Sequence, residues 1–451
     1  MVATANDEAM AGAGETEQVI DLKASRTALI TGSVGHLIEW YEFAVYGYLS
    51  PYIAKQFFPN SSASAGLVST FLVFALAFVM RPLGAVIFGR LTDKLGRRPI
   101  LVTIILMMTL ATTIIGILPS TASIGMTATV FLVLCRIVQG ISGGGEMGGA
   151  VSLTVENAPE GKRGLYASWS FVGTNMGVCF GGAVATILSA IYSPAEMQSW
   201  AWRIPFIAAL PLGVVALYIR TKVDETPHFK RVLKARAKDP SLNALAPTTI
   251  RYTTGYLLAT GGVLSVYCAI GNVFMVAMPS YLALAFKMPS SQAYFLSLVT
   301  GVTGGATMPL FGWLSDRYGR RSMLMIGAAG TLFLSYPMYM MMASGFAGGL
   351  VALFIAGILI GATGGPMPSF LSERFPTRHR GSGVAIVYGV VVAVFGGSAP
   401  TIITWLLRVT KDPLAAAYYT TAVGLISVVS LLAVRAEEAK RGKTHLRPLE
   451  D

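Results

Sequence analysis

Charge is scarce in this chain. Of its 451 residues only 12% are Asp, Glu, Lys or Arg, against roughly 25% in a soluble domain. A polypeptide this long with so few charges cannot clothe itself in a water-facing surface. That excludes an ordinary soluble globule and makes lipid the solvent. Cysteine is equally scarce. Cys135, Cys179 and Cys268 each sit inside an apolar stretch, which excludes a disulfide framework and a cysteine metal site. There is no nucleotide loop, nucleophile–base motif or metal-ligand spacing, so the chain is expected not to be an enzyme. The first 25 or so residues are polar, with Glu8, Glu15, Glu17 and Asp21, and lack the basic region and short apolar core of a secretory signal. The net charge of +12 raises the question of nucleic acid. The basic residues, however, are spread over short loops between apolar runs, and no nucleic-acid motif accompanies them. No nucleic-acid partner is expected.

What the chain has in abundance is apolar sequence, 54% of all residues. A membrane span needs about 20 apolar residues, and twelve runs qualify. In the first half they lie near 27–50, 66–90, 99–118, 124–147, 164–191 and 202–220. In the second half they lie near 252–284, 290–313, 322–343, 347–370, 381–407 and 414–435. The expected fold is all-α and integral to the membrane, with twelve transmembrane helices in two pseudo-symmetric six-helix bundles, 27–220 and 252–435. A charged linker over 221–251 joins them, with tails over 1–26 and 436–451. Lys and Arg concentrate on one side, in the loops after alternate spans, the linker and the C-terminal segment. The positive-inside bias therefore places both termini in the cytoplasm, and the expected location is the inner (plasma) membrane.

The two halves repeat each other. Gly89-Arg-Leu-Thr-Asp93-Lys-Leu-Gly96-Arg97-Arg98 recurs as Gly312-Trp-Leu-Ser-Asp316-Arg-Tyr-Gly319-Arg320-Arg321, an offset of 223 residues from Asp93 to Asp316. Glu156-x-x-Pro159-x-x-x-Arg163-Gly164 recurs as Glu373-x-x-Pro376-x-x-x-Arg380-Gly381, an offset of 217 from Glu156 to Glu373. Two motifs repeated in the same order point to duplicated halves, a known transporter plan.

With these motifs the chain resembles the major facilitator superfamily. More narrowly it is similar to the metabolite:proton symporters, over LIEWYEFAVYGYLSPYIAKQFFP (37–59), MRPLGAVIFGRLTDKLGRRP (80–99), RIVQGISGGGEMGG (136–149) and WRIPFIAALPLGVVALYIR (202–220) with DETPHF (224–229). Relatives in that family move proline and glycine betaine, α-ketoglutarate, citrate or shikimate with protons. The resemblance implies a conformational latch on the basic face. Its residues are Asp93, Arg97, Arg98, Glu156 and Arg163 in the first half and Asp316, Arg320, Arg321, Glu373 and Arg380 in the second. It also implies a role in proton coupling for Arg136, which opens R-x-x-Q-G (136–140).

Ionisable residues inside spans need a reason, because each costs roughly 2.5–3.5 kcal/mol at mid-bilayer on the insertion scale. Glu39 is about 12 residues into its run, roughly 18 Å from the end at 1.5 Å per residue. Arg81 and Arg136 reach comparable depths in the second and fourth runs. Glu42 follows one turn after Glu39, on a similar face, and Glu146 lies nearer the basic side. Glu39, Glu42, Arg81, Arg136 and Glu146 are the candidate proton and substrate site; a static ion-pair network is the alternative. His36 is one turn before Glu39. Trp40, Tyr41 and Tyr46, with Phe43 and Tyr48, make the first span aromatic and are candidates to line a cavity or meet a quaternary ammonium. The second half offers only neutral polar groups, among them Tyr267, Asn272 and Tyr388, with Gln292, Ser369 and Ser398.

The expected function is proton-coupled import of a small polar metabolite by alternating access. With two midplane arginines facing two or three glutamates and no midplane cation in the second half for a further carboxylate, a zwitterion such as proline or glycine betaine, or a small organic acid, fits better than a tricarboxylate. The alternative is proton-antiport efflux, but the fifth run, FVGTNMGVCFGGAV (171–184), lacks the Gly-Pro pair usual in such antiporters. Expected partners are the lipid bilayer and a small-molecule substrate, with the chain acting as a monomer. The proton serves as coupling ion and no cofactor is expected.

Overall fold

The computed structural model describes residues 22–95, 97–144, 154–155, 158–159, 161–222, 254–375 and 380–443, without side chains at 22–32, 34, 89–90, 92–98, 219–222, 380–382 and 438–443. The described residues form helices and connections, and no strand occurs among them. The first bundle holds α1 (Leu22–Tyr48), α2 (Ala63–Leu95), α3 (Arg97–Ile117), α4 (Thr127–Gly143), α5 (Arg163–Ile191) and α6 (Ala209–Lys222). The second holds α7, which runs from Thr254–Gly271 through Asn272–Ala277 to Met278–Ala285; α8 (Ser290–Tyr318); and α9 (Arg320–Ala343). It is completed by α10 (Phe346–Gly364, then Met367–Arg374), α11 (Arg380–Val391 through Val392–Gly397 to Ala399–Thr410) and α12 (Ala415–Lys443).

Among the described residues nine helices are long and apolar enough to cross a membrane, and Val102–Ile117 and Thr127–Gly143 are shorter apolar helices. With the 27-residue α1 they make the twelve spans. Backbone groups in hydrocarbon must be bonded within the segment, which leaves helix as the only open-chain solution. Large apolar side chains at helical spacing face outward, such as Leu106, Leu110, Ile114 and Ile117 on α3 and Leu425, Val429 and Leu432 on α12. That outer apolar coat is what a lipid solvent demands.

The connections show ordinary helix chemistry. Before the short helix Pro194–Ser199, Ser193 accepts from the Glu196 amide, and the Glu196 side chain accepts from the Ser193 amide. The Ser193 hydroxyl and amide together hold the Glu196 carboxyl below its usual range. Between α8 and α9, Gly319 has φ +88°, a conformation that favours glycine. It is the glycine of the repeated Asp-x-x-Gly-Arg-Arg motif.

Of the nine long apolar helices, α7 is the most enclosed, with 94% of its apolar window inside the protein. The bundles meet along two seams, α5 with α8 and α2 with α11. On the face bearing the Gly-Arg-Arg loops, Asp316 Oδ1 and Oδ2 accept from the backbone amides of Gly164 and Leu165, at 2.8 and 2.9 Å. On the opposite face the Tyr294 hydroxyl donates to the Tyr48 carbonyl at 3.0 Å, and the Ser50 and Ser280 hydroxyls lie 3.3 Å apart. A cleft of about 250 Å³, lined by Lys55, Phe58, Pro279, Ser290 and Tyr294 among others, opens beside this contact. The two bundles are thus joined at both faces.

A paired substitution tests the second contact. With Ser50→Cys and Ser280→Cys introduced together, mild oxidation should form a disulfide, read as loss of two reactive thiols by mass. Either substitution alone should not.

Candidate functional site in the first bundle

Helices α2 and α4 touch backbone to backbone. A Cβ on Gly84 would lie 1.9 Å from the Ile141 carbonyl oxygen, and one on Gly140 would lie 2.1 Å from that of Ala77. Small residues permit this approach in a membrane. It brings Arg81 and Arg136, whose helices would otherwise stand a side chain apart, into one layer with α1.

Both guanidinium groups are buried. Arg81 Nη2 lies 2.9 Å from Glu39 Oε1, but off the hydrogen-bond axis. Glu39 Oε1, Arg81 Nε and Arg81 Nη2 keep no aligned partner among the described residues. His36 Nδ1 is 3.6 Å from Glu39 Oε2. Gly143 floors the pair: a Cβ there would sit 2.7 Å from Glu39 Oε1 and 3.3 Å from Arg81 Nη2. Aromatic faces enclose the rest. The Arg81 guanidinium carbon is 5.1, 4.5 and 4.9 Å from the ring centres of Trp40, Phe43 and Phe78. That of Arg136 is 5.0, 4.3 and 5.1 Å from Phe43, Tyr46 and Phe74. Phe43 is shared by both cations. Ring quadrupoles attract such cations more strongly when they are desolvated, reaching about 2 kcal/mol or more.

Arg136 meets no carboxylate directly among the described residues. Its Nη1 donates to Gln139 Oε1 at 2.6 Å and its Nη2 to the Phe74 carbonyl at 3.3 Å. Gln139 Nε2 donates to Thr112 Oγ1 at 2.7 Å, and Thr112 donates to Glu42 Oε2 at 2.6 Å. Thr109 adds a longer bond to Glu42 Oε1, 3.3 Å. Glu39 and Glu42, one turn apart on similar faces of α1, nevertheless meet different neighbours: Glu39 reaches Arg81 of α2 and Glu42 reaches Thr109 and Thr112 of α3. The hydroxyls of Thr109 and Thr112 are the part of the site that sequence missed. Their spacing of three, among the four threonines of α3, was the available signal.

The remaining candidates divide. Trp40 packs against Phe43 and Phe78 at 6.2 Å, and its buried Nε1 has no partner among the described residues. Tyr46 faces Arg136 but donates its hydroxyl to the Thr70 carbonyl. Tyr41 is corrected: it donates to the Pro205 carbonyl at 2.9 Å, pointing toward the start of α6 rather than to the arginines. From the second bundle, Tyr267 stacks on Phe171 of α5 at 4.6 Å and Tyr388 lies 6.1 Å from the same ring. Tyr388 is within electrostatic reach of Arg81 and Glu39. Asn272 is buried one turn beyond Cys268. Gln292 is exposed at the start of α8, and Ser369 and Ser398 bond their own helix backbones. Glu146 lies outside the described residues. No group of three or more His, Cys, Asp or Glu suited to a metal occurs among the described residues.

On the Gly-Arg-Arg face the second-half cluster assembles around Asp316. Besides capping α5, its Oδ1 lies 2.6 Å from Arg320 Nη1, and Arg320 Nε lies 3.1 Å from Glu373 Oε1. Arg321 is half-buried in the same turn, and Arg163 is exposed at the first residue of α5. Glu156 and the side chains of Asp93, Arg97, Arg98 and Arg380 lie outside the described residues, so the first-half cluster is not described.

The family model for the major facilitator superfamily matches residues 32–400 and 258–449. The chain belongs to the major facilitator superfamily. This member of it is a membrane transporter and not an enzyme. It is 32% identical over 422 residues to the proline/betaine transporter of Escherichia coli strain K12, covering 91% of this chain and 84% of that one. It is 31% identical over 415 residues to a putative proline/betaine transporter of Staphylococcus aureus strain COL, covering 91% and 88%. Among solved structures it superposes on a D-xylose–proton symporter with a TM-score of 0.71 at 18% identity, covering 90% of this chain and 96% of the other. At that identity the likeness speaks for the fold.

Removing the α5 cap should loosen this face. Asp316→Ala deletes two charge-assisted bonds to a helix N-terminus, a loss of about 1–2 kcal/mol. A cysteine replacing Leu165 should then be labelled by a maleimide about tenfold faster, the rate equivalent of ~1.4 kcal/mol. Unchanged labelling would show that Asp316 does not hold the seam.

Proposed function

We propose that this transporter is a proton-coupled symporter that imports a small zwitterion, or a monocarboxylate, by alternating access. The observation that carries the reading is the charge arrangement around Phe43. Arg81 has Glu39 at 2.9 Å, whereas Arg136 reaches a carboxylate only through Gln139 and Thr112. A net charge in a low-dielectric core is costly. When Glu42 is ionised, the four groups sum to zero. When Glu42 takes a proton, one positive charge is left over: a monocarboxylate cancels it outright, and a zwitterion, itself net neutral, pairs its carboxylate with it locally. The protonated site therefore holds a carboxylate better than the ionised one does, which couples proton and substrate.

In this mechanism Glu42 carries the proton. Arg136 and Arg81 receive the carboxylate, and Glu39 holds Arg81 in place. The described residues of the second bundle bring only neutral groups to the centre, such as Tyr267, Asn272 and Tyr388, which suits a substrate with one carboxylate. The names of the relatives, proline/betaine transporters, agree with a zwitterion. The basic loops support cytoplasmic placement of both termini, in a protein acting at the plasma membrane. The Asp316–Arg320–Glu373 cluster acts as a latch that must part for the cytoplasmic side to open, and one chain holds the whole site.

The test is uptake into proteoliposomes under an imposed inward proton gradient, offering proline, glycine betaine, ectoine, shikimate, α-ketoglutarate and citrate. Proline or glycine betaine should accumulate, and a protonophore should abolish the accumulation. Glu42→Gln should keep exchange of substrate across the membrane while losing gradient-driven accumulation. Arg136→Gln should lose both. Accumulation that persists after the proton gradient is collapsed would refute symport.

A further inference from the structure

The enclosed helix α7 borders an open space. A Cβ on Gly271 would meet no atom within 4 Å, although the residues around it are buried. Gly271 is one turn beyond Tyr267, which stacks on Phe171 at the junction of the bundles. The next residue is Asn272, whose Nδ2 donates to the Cys268 carbonyl at 3.0 Å. On its other side Nδ2 abuts Gly396 of α11, where a Cβ would lie 2.9 Å away. A carbonyl can face only the NH2 end of an amide, so this contact fixes the orientation of the side chain. Oδ1 is left as a buried acceptor with no partner among the described residues.

The backbone is unusual at the same place. Residues Asn272–Ala277 and Val392–Gly397 are both π-helical, a geometry frequent at functional sites, and the two segments lie side by side through Gly396. Gly397 in turn backs onto Phe78, the ring that lies against Arg81. On the first-bundle side the unpartnered buried donors around Phe43, among the described residues, are Trp40 Nε1, Arg81 Nε and Nη2 and Arg136 Nε, with Glu39 Oε1 an unpartnered acceptor beside Arg81. An excess of donors on one side and the Asn272 acceptor on the other suit a ligand with a carboxylate at one end and an N–H at the other.

We propose that Asn272 reads the cationic end of the substrate: its Oδ1 accepts a hydrogen bond from an N–H of a zwitterion whose carboxylate rests on Arg81 and Arg136. The site thereby favours zwitterions with a protonated primary or secondary amine over quaternary ammonium compounds. A quaternary nitrogen has no N–H and leaves Oδ1 unpaired, and a site built to bond an N–H discriminates against a ligand that lacks it. The assignment rests on the zwitterion reading above and adds to it the residue and the chemical feature that is read.

Proline and glycine betaine are the probes, because the first carries two N–H bonds and the second none. In proteoliposomes with an inward proton gradient, Asn272→Leu should raise the KM for proline at least tenfold. It should leave that for glycine betaine within twofold, and the retained betaine uptake shows that the variant is folded. Equal losses for both substrates, or no loss for proline, overturn the assignment while leaving the symporter reading intact. So does an unsubstituted protein that takes up glycine betaine and not proline. If the unsubstituted protein takes up neither, the zwitterion reading falls and the assignment with it.

Discussion

Two guanidinium groups buried against one phenyl ring set the terms for this protein. Moving a cation out of water is expensive, and the price is met here in unequal ways. Arg81 has a carboxylate at 2.9 Å. Arg136 has an amide, a backbone carbonyl and three aromatic faces. Replacing water by rings and dipoles stabilises a cation without cancelling its charge. Arg136 therefore stays a source of field inside the bundle, and the nearest bonded route from it to a carboxylate is Gln139–Thr112–Glu42. A fully neutralised pair at that position would be a strut. An under-neutralised one is responsive to protons and anions.

The geometry that makes this possible is made by absent side chains. Gly84 and Gly140 let α2 and α4 meet at backbone distance, and Gly143 leaves the space that the Glu39–Arg81 pair occupies. A single added methyl at any of these positions collides with backbone or with the pair itself, and overpacking of this kind typically costs about 1–3 kcal/mol. The aromatic column on α1 and α2, from Trp40 and Phe43 through Phe78 to Phe74, then excludes water from both cations. Low dielectric around the guanidiniums follows from packing, and the charge arithmetic of the site follows from the low dielectric.

Much of this was legible in the sequence, for a simple reason. Length and apolarity alone identify a membrane span, so the twelve runs correspond to the twelve helices, and the recurrence of Asp93 and Glu156 as Asp316 and Glu373 announced the duplication. Helix ends were less legible. Helix α1 is already helical at Leu22 and α12 is still helical at Lys443, because helix persists into polar sequence where hydropathy no longer marks it. Glu39, Arg81 and Arg136 stood out since charge inside an apolar run is rare. Thr109 and Thr112 did not, since threonine is unremarkable in a span and its role depends on what faces it. Tyr41 misled for the same reason. Its ring belongs to an aromatic run, but its hydroxyl partner, the Pro205 carbonyl, lies 164 residues away.

One helix connects the arginine cluster to the Asp316 cap. Along α5, Gly173 and Gly177 approach the backbone of α1 at Ser33 and Leu37, while Gly164 abuts Gly312 of α8 and Asn175 donates to the Gly301 carbonyl. The same helix is capped by Asp316 at its first turn and carries Phe171, on which Tyr267 stacks. Close-packed helices move as bodies rather than bending locally, because their contacts have no slack to absorb a shift. A displacement of α5 at its capped end must therefore carry α1, and with it Glu39, Phe43 and Glu42. The converse holds equally: a change in charge at Glu42 that repositions α1 reaches the Asp316 cap through α5. The two clusters, at the centre and at the basic face, are in this sense two ends of one rigid element, and the glycine contacts along α5 are what make it rigid.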